Sequence, residues 1–418
     1  MRKLPLFLLL LVSSCGTSEL WHEPVECRLT GSISGMPPEQ SLWIALPDSY
    51  DIGTPIPVAD GRYAYTLRTD TLRAYELRIG TRSSYTPLDF FPENGTVTID
   101  LAWDETGKFI PSPIGGAGKP NRTINDFKKE KDAKFGRLYD EIYAKLNGLQ
   151  RERRFDSPAV DSLYRLLEGR LSHEERNGIY RRIDELRLSG EAYTPEAREL
   201  LAGKDSLDDR SREWTRDYVA AHPSLGGFFC LVQNLRYDRL QHKPLTAWLE
   251  LYDRIFAGRF AGHPYHAVTE DFRSSEQVRV GGRYIDATLP DAEGNPVRLS
   301  TLVEGKVALL DMWASWCGPC RAYSRQIVPV YEKYRERGFV VVGIAREFHD
   351  LTDWHAALTQ EGHPWPELVE LDDANGLWTK YGIPNAAGSS FLIDRDGTVL
   401  AVYPSPEELD RLLKEKLG

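Results

Sequence analysis

Cysteine is scarce in this chain. There are five in 418 residues: Cys15, Cys27, Cys230, Cys317 and Cys320. So few thiols, so widely spread, exclude a small scaffold stapled together by disulfides. No second pair of ligands stands at zinc spacing from Cys317 and Cys320, and His349, His355 and His363 have no thiol partner. No metal site is therefore expected, and no residue pattern calls for a cofactor. Long apolar runs are missing as well. Leu4 to Val12 is too short for a permanent membrane-spanning helix, and nothing later is apolar enough. Basic excess is absent: 52 Lys and Arg against 62 Asp and Glu leave a net charge of −10. That balance argues against nucleic acid or an anionic bilayer surface as a partner. No internal repeat is visible. With 41% hydrophobic residues, the chain can build two or three cores.

What is present is concentrated in Trp316-Cys317-Gly318-Pro319-Cys320. Two thiols separated by Gly-Pro follow the apolar run Val307 to Trp313 and precede a segment with helical patterning. Cys317 should thus lie at a strand-to-helix junction, at the positive end of a helix dipole that stabilises a thiolate. Cys320, one turn into the helix, is placed to resolve a mixed disulfide and is expected to be the less exposed of the two. Gly318 allows a tight turn, and Pro319 suits the first turn of a helix. Trp313 and Trp316 should flank the pair, Trp313 mainly by packing and Trp316 by bordering the sulfur.

From about Val280 to the C-terminus, several segments accompany that pair in one order. These include Gly294-Asn295-Pro296-Val297, Leu310-Asp311-Met312-Trp313-Ala314-Ser315, Gly338 to Ile344 and Phe391-Leu392-Ile393-Asp394. This third of the chain resembles the thioredoxins, and more closely the membrane-tethered extracytoplasmic thioredoxins of the TlpA and ResA kind. The resemblance implies an α/β thioredoxin fold over residues 278–418 and thiol-disulfide exchange on proteins. It also implies that Asp311 is the buried carboxylate that moves protons at the resolving cysteine. A carboxylate at the end of a buried strand should have a raised pKa, which suits a general base near neutral pH. The Gly-Pro dipeptide favours a reductase, since thioredoxin with that pair lies at about −270 mV against about −120 mV for the oxidant DsbA. A reductant outside the cytoplasm must be recharged, which implies a membrane electron donor.

Three positions depart from the family pattern. Tyr323 stands where tethered relatives commonly carry Glu, and Arg325 where a helix-kinking proline is usual, although Pro329 follows. The loop facing the cysteines lacks the family's cis-proline. Its positions fall on Ala387 and Gly388, and Pro384 lies too early. A trans peptide is expected there, because cis costs about 2.5–4 kcal/mol ahead of a residue other than proline.

The N-terminus bears on location. Arg2 and Lys3 precede the apolar core, and Val12-Ser13-Ser14-Cys15 follows. This anatomy is that of a signal peptide over residues 1–14, and small residues before a cysteine resemble a bacterial lipobox. Cys15 is then the lipidated mature N-terminus, anchoring a periplasm-facing lipoprotein. Gly16 rather than Asp after it favours the outer membrane over the inner.

Residues 25–110 read as a β-sandwich-like domain, with alternating strands such as Arg62 to Leu67 and turns at Asp60-Gly61 and Asn94-Gly95. The Pro- and Gly-dense stretch Pro111 to Pro120 is a connector. Residues 121–272 read as a helical spacer domain, with apolar residues such as Trp248, Leu251, Tyr252 and Ile255 at helical spacing. Cys27 and Cys230 could pair, or stand as separate buried thiols. Two other functions share these features. One is a ligand- or protein-binding lipoprotein with an accessory thioredoxin domain. The other is a peroxiredoxin-like peroxidase, against which Ala314 stands three residues before Cys317, where that chemistry usually wants a hydroxyl.

Overall fold

The computed structural model describes residues 21–418 except 48, 50, 51, 83, 106, 108, 117, 242 and 384–387. Cys15 and the leader 1–14 therefore lie outside the described residues, as do Pro384 and Ala387.

The N-terminal part is strand-rich. β1 (Val25–Ser34) buries Val25, Cys27 and Leu29 while Glu26 and Arg28 face out, the two-residue alternation of a half-buried strand. It pairs antiparallel with β5 (Arg62–Thr69) and parallel with β8 (Gly95–Thr98) and β9 (Leu101–Trp103). β4 (Val58–Ala59) turns into β5 through Asp60 and Gly61, both at positive φ, as a two-residue hairpin loop demands. A second sheet runs β3 (Thr54–Ile56), β2 (Ser41–Ala45), β6 (Tyr75–Gly80) and β7 (Tyr85–Phe90). The apolar faces of both sheets enter one core.

The helical segment adds to that core, which gives it a structural task beyond that of a spacer. α1 (Lys119–Lys131), α5 (Pro195–Ala221), α6 (Leu225–Leu240), α7 (Thr246–Ile255) and α8 (Pro264–Ser275) contribute Ile124, Val219, Phe228, Trp248 and Phe272 beside Leu29, Phe90 and Val97 of the strands. Phe91 meets Phe229 edge to face at 5.7 Å. Asn121 accepts from Phe91 N at 2.7 Å and donates to its carbonyl at 2.8 Å, so a helix side chain extends the strand's hydrogen bonding. Cys27 and Cys230 lie in this core as free thiols.

The C-terminal domain has the thioredoxin fold. Its sheet runs β15 (Glu367–Leu371), β14 (Phe339–Glu347), β13 (Val307–Trp313), β16 (Ser389–Ile393) and β17 (Val399–Val402), with β14 parallel and β16 antiparallel to β13. Every residue of β13 is buried, because helices cover both faces. Val307 and Leu309 face Ile327 of the helix at 318–334 and Leu409 of that at 406–417. Leu310 and Met312 face Leu299, Leu377 and Trp378 on the other side. Val278 belongs to this second cluster, so the redox domain begins packing right after α8.

Phe228 is fully buried and stacks on Phe256 at 4.8 Å in the core shared by sheets and helices. Phe228→Ala should cost about 3–5 kcal/mol through the lost contacts and the cavity left. Strand and helix signals should shift together in a denaturant titration of the variant. Separate transitions would contradict a single shared core.

Candidate active site

Cys317 and Cys320 are joined as a disulfide, with their Cα atoms 5.3 Å apart. The turn after β13 closes with Cys317 N donating to Ala314 O at 3.0 Å. Cys317 is then the N-cap of α10 (Gly318–Tyr334), its sulfur accepting from Cys320 N at 3.3 Å, with Pro319 in the first turn. This is the strand-to-helix junction expected from the sequence, and the unpaired amides of the helix start favour negative charge on that sulfur.

The order of exposure is reversed from expectation. Cys317 is 8% exposed, whereas Cys320 is half-buried. The turn around Cys317 is closed by its own amide and by that of Cys320. Trp316 is 41% exposed and Gly318 and Pro319 are exposed, so the surface rim is made by the residues around Cys317. Trp313 is fully buried and donates to Glu367 Oε2 at 2.9 Å, packing below Cys320 as anticipated.

Asp311 lies in the middle of the buried run of β13, 2% exposed. Its Oδ2 accepts from Ser324 Oγ at 2.6 Å, and the same hydroxyl lies 3.1 Å from Cys320 O. Burial pushes the Asp311 carboxyl up to about 7; the Ser324 hydrogen bond opposes this, the Glu367 charge adds to it and His363 offsets it. Ser324, fully buried, is a site residue the sequence reading missed. Its signal was its spacing: one helical turn after Cys320 it must share the face turned to β13.

Tyr323, in place of the family's acidic residue, is buried. It accepts from Ser390 Oγ at 3.0 Å and donates to Pro404 O at 2.9 Å. Ser390 is the β16 partner of Asp311, and Tyr323 stacks on Tyr403 at 5.1 Å. Other polar anchors were likewise unforeseen. Glu347, its carboxyl raised by burial, accepts from Ser315 N and Oγ, both at 2.7 Å, which holds the turn before Trp316. Arg321 donates from Nε to Glu361 at 2.7 Å and from Nη1 to Ser315 O at 3.3 Å, tying the start of α10 to α11 (Thr352–Glu361) and the turn. α10 runs on through Pro329 without ending there.

Gly388 meets the pair from β16's side. A Cβ here would stand 2.6 Å from Cys320 Sγ and would press on Met312 O, so only glycine allows this backbone to approach so closely. Ala387 and the peptide it makes with Gly388 fall outside the described residues. Among the described residues no cluster of His, Cys, Asp and Glu could hold a metal ion, and no helix is long and apolar enough to cross a membrane.

Residues 280–402 match the model of the AhpC/TSA family. The thiol-disulfide oxidoreductase ResA of Bacillus thuringiensis (strain Al Hakam) is 28% identical over 147 residues, 34% of this chain and 82% of that protein. The thiol:disulfide interchange protein HelX of Rhodobacter capsulatus is 25% identical over 166 residues, 38% of this chain and 88% of that protein. The crystal structure of the thioredoxin domain of a thiol-disulfide oxidoreductase from Bacteroides vulgatus is also similar, with a TM-score of 0.31 and 23% identity over 34% of this chain and 99% of that domain. The C-terminal third is a thioredoxin-like domain of the AhpC/TSA type, and relatives that match it are named thiol-disulfide oxidoreductases.

The raised Asp311 carboxyl makes a prediction with a definite sign. Between about pH 4 and pH 7 Asp311 keeps its proton in the folded chain and loses it in the unfolded one. Its contribution to stability is complete below pH 4 and is lost as pH rises through 7, a change on the order of 4 kcal/mol. Asp311→Asn should remove this slope, leaving the variant relatively more stable above pH 7. Subtracting wild-type from variant unfolding free energies at each pH isolates Asp311 from Glu347 and other raised carboxyls. A flat difference from pH 4 to 8 would refute the burial argument.

Proposed function

We propose that this chain is a thiol-disulfide oxidoreductase that reduces protein disulfides outside the cytoplasm. Support comes chiefly from one arrangement: the Cys317 sulfur caps the start of α10 while a buried carboxylate, Asp311, lies beneath Cys320. The Cys317 thiolate attacks a substrate disulfide, forming a mixed disulfide and expelling one substrate thiolate. Asp311 accepts the Cys320 proton, with Ser324 holding the carboxylate in place. The Cys320 thiolate then attacks the Cys317 sulfur, releasing the second substrate thiolate and leaving the Cys317–Cys320 disulfide. Two electrons from a membrane donor return the pair to the dithiol. The nucleophile is chosen by its place at the helix terminus rather than by exposure, since Cys317 is the more buried residue.

Gly388 forms the docking edge opposite the pair in this reading, and Trp316, Gly318 and Pro319 the near rim. The peroxidase alternative finds little support: Ala314 has no hydroxyl, and the nearby Ser315 hydroxyl donates to Glu347. The proposal further takes residues 1–14 as a leader and Cys15 as the lipidated anchor of an outer-membrane lipoprotein facing the periplasm. Residues 25–110, 121–272 and 278–418 are its strand-rich, helical and redox domains.

Cys320→Ser should accumulate mixed disulfides with partner proteins, visible on non-reducing gels and cleared by dithiothreitol, while Cys317→Ser accumulates few. The reverse pattern would exchange the two roles, and no adduct with either variant would favour the binding-protein reading. The potential of the pair should lie nearer about −270 mV than about −120 mV. For the anchor, Cys15→Ser should release the mature chain into the soluble periplasmic fraction. Continued fractionation of the serine variant with membranes would end the lipid assignment.

A further inference from the structure

Away from the disulfide, a cavity of about 670 Å³ lies where all three units meet. The strand-rich unit supplies Leu46 and Arg73, the helices Arg239 and Phe272, and the redox domain Phe348 and Ile383. This volume falls within the range of small-molecule sites, and the lining joins apolar side chains to four arginines, three aspartates and a histidine.

The charged lining is unequally committed. Arg346 makes a two-pronged ion pair with Asp373 and lies over Trp378. Asp271 stands 3.5 Å from Lys380, and Asp372 accepts from His349 N at 2.9 Å. Arg236 donates to Gln233 at 3.1 Å. Two guanidinium groups are left. Arg73 has a buried Nε without a hydrogen-bond partner, and no ion pair engages it among the described residues. Arg239 packs on Gly382, and the carboxylate paired with it, Glu276, is 3.7 Å away, beyond hydrogen-bonding distance. Burial lowers the Arg239 pKa, as it does for a cation whose lost hydration is poorly replaced. A buried guanidinium donor left unpaired is costly, and its fork geometry matches carboxylate and phosphate oxygens.

We infer that this cavity binds a small amphipathic anion, a carboxylate or phosphate on a short apolar body, whose charged head is held by Arg73 and Arg239. The apolar body would lie against Leu46, Phe272 and Ile383. The site has a stiff wall on the strand side, because the fully buried Arg78 donates to the carbonyls of Leu46 and Ser49, both at 3.0 Å, and pairs with Glu76 at 2.8 Å. Since the two arginines come from different units and the redox domain closes the far side, the ligand engages the assembled chain rather than any one unit. The site is independent of the disulfide chemistry, as neither arginine contacts the cysteine pair.

The test is calorimetric titration of the full chain with benzoate and with phenyl phosphate, using benzamide as the uncharged control. Saturable binding of one anion is expected, with benzamide at least tenfold weaker; which anion binds tells carboxylate from phosphate. Arg73→Gln and Arg239→Gln should each weaken binding at least tenfold while leaving the rate with a small model disulfide unchanged. Leu46→Trp fills the cavity from the strand side without altering either guanidinium and should abolish binding, so it decides the matter if a glutamine variant does not fold. Absence of saturable binding by both anions would overturn the inference. So would equal affinity for benzamide, or undiminished affinity in the folded variants.

Discussion

β13 is buried at every position from Val307 to Trp313, and Asp311 lies inside that run. A carboxylate in such a place loses its hydration, and its neighbours determine what form it takes. Ser324 on α10 supplies one short hydrogen bond, and Ser390 and Tyr323 form a polar seam alongside. The same strand must end at the turn that presents Cys317, so the position of the acid and the position of the disulfide are one geometric fact. Moving β13 by one residue would turn Asp311 to the other face and detach it from α10.

Around that axis, the loop bearing the thiols is held by charge as much as by packing. Glu347 grips Ser315 from below, and Glu361 holds Arg321 and Arg325 on the outer turn of α10. These anchors come from the ends of β14 and α11, elements that meet the redox turn only in the folded domain. Gly388 completes the enclosure by bringing backbone against Cys320 where a side chain would not fit.

The rest of the molecule is built on a different economy. Strands 25–111 and helices 119–275 share a core of aliphatic and aromatic residues, Phe90, Phe91, Phe228, Trp248 and Phe256 among the latter. Neither part could keep its inner face dry alone, since Phe91 and Phe229 bury each other across the boundary. The redox domain has its own clusters and meets this body through a charged seam, where Asp271 and Lys380 approach across the border of the cavity.

How much could be read without coordinates follows the range of each interaction. The Cys-Gly-Pro-Cys junction, the helix after it and the buried strand before it depend on neighbours within about a dozen residues, and so were legible in order and type. The same holds for the Asp60-Gly61 hairpin, whose two positive-φ residues identify it. Asp311 was legible through family resemblance, and its raised pKa through the apolar run around it. Ser324 could have been found from its spacing to Cys320. By contrast, nothing local foretold that Tyr323 would bond Ser390, 67 residues on, or that Glu347 would hold Ser315. The reversed exposure of Cys317 and Cys320 depends on how the turn folds over its own N-cap. That helices 119–275 would complete the core of the strands was equally hidden, because an amphipathic pattern tells that a face is buried but not against what. The sequence by itself determined the thiol pair, its helix terminus, the acid on the adjoining strand and the strand-then-helix-then-redox order, all through short-range chemistry. Only the tertiary structure decided which distant polar groups hold the pair, what the helices bury and that Arg73 and Arg239 line one cavity, because those placements join residues that the chain itself keeps far apart.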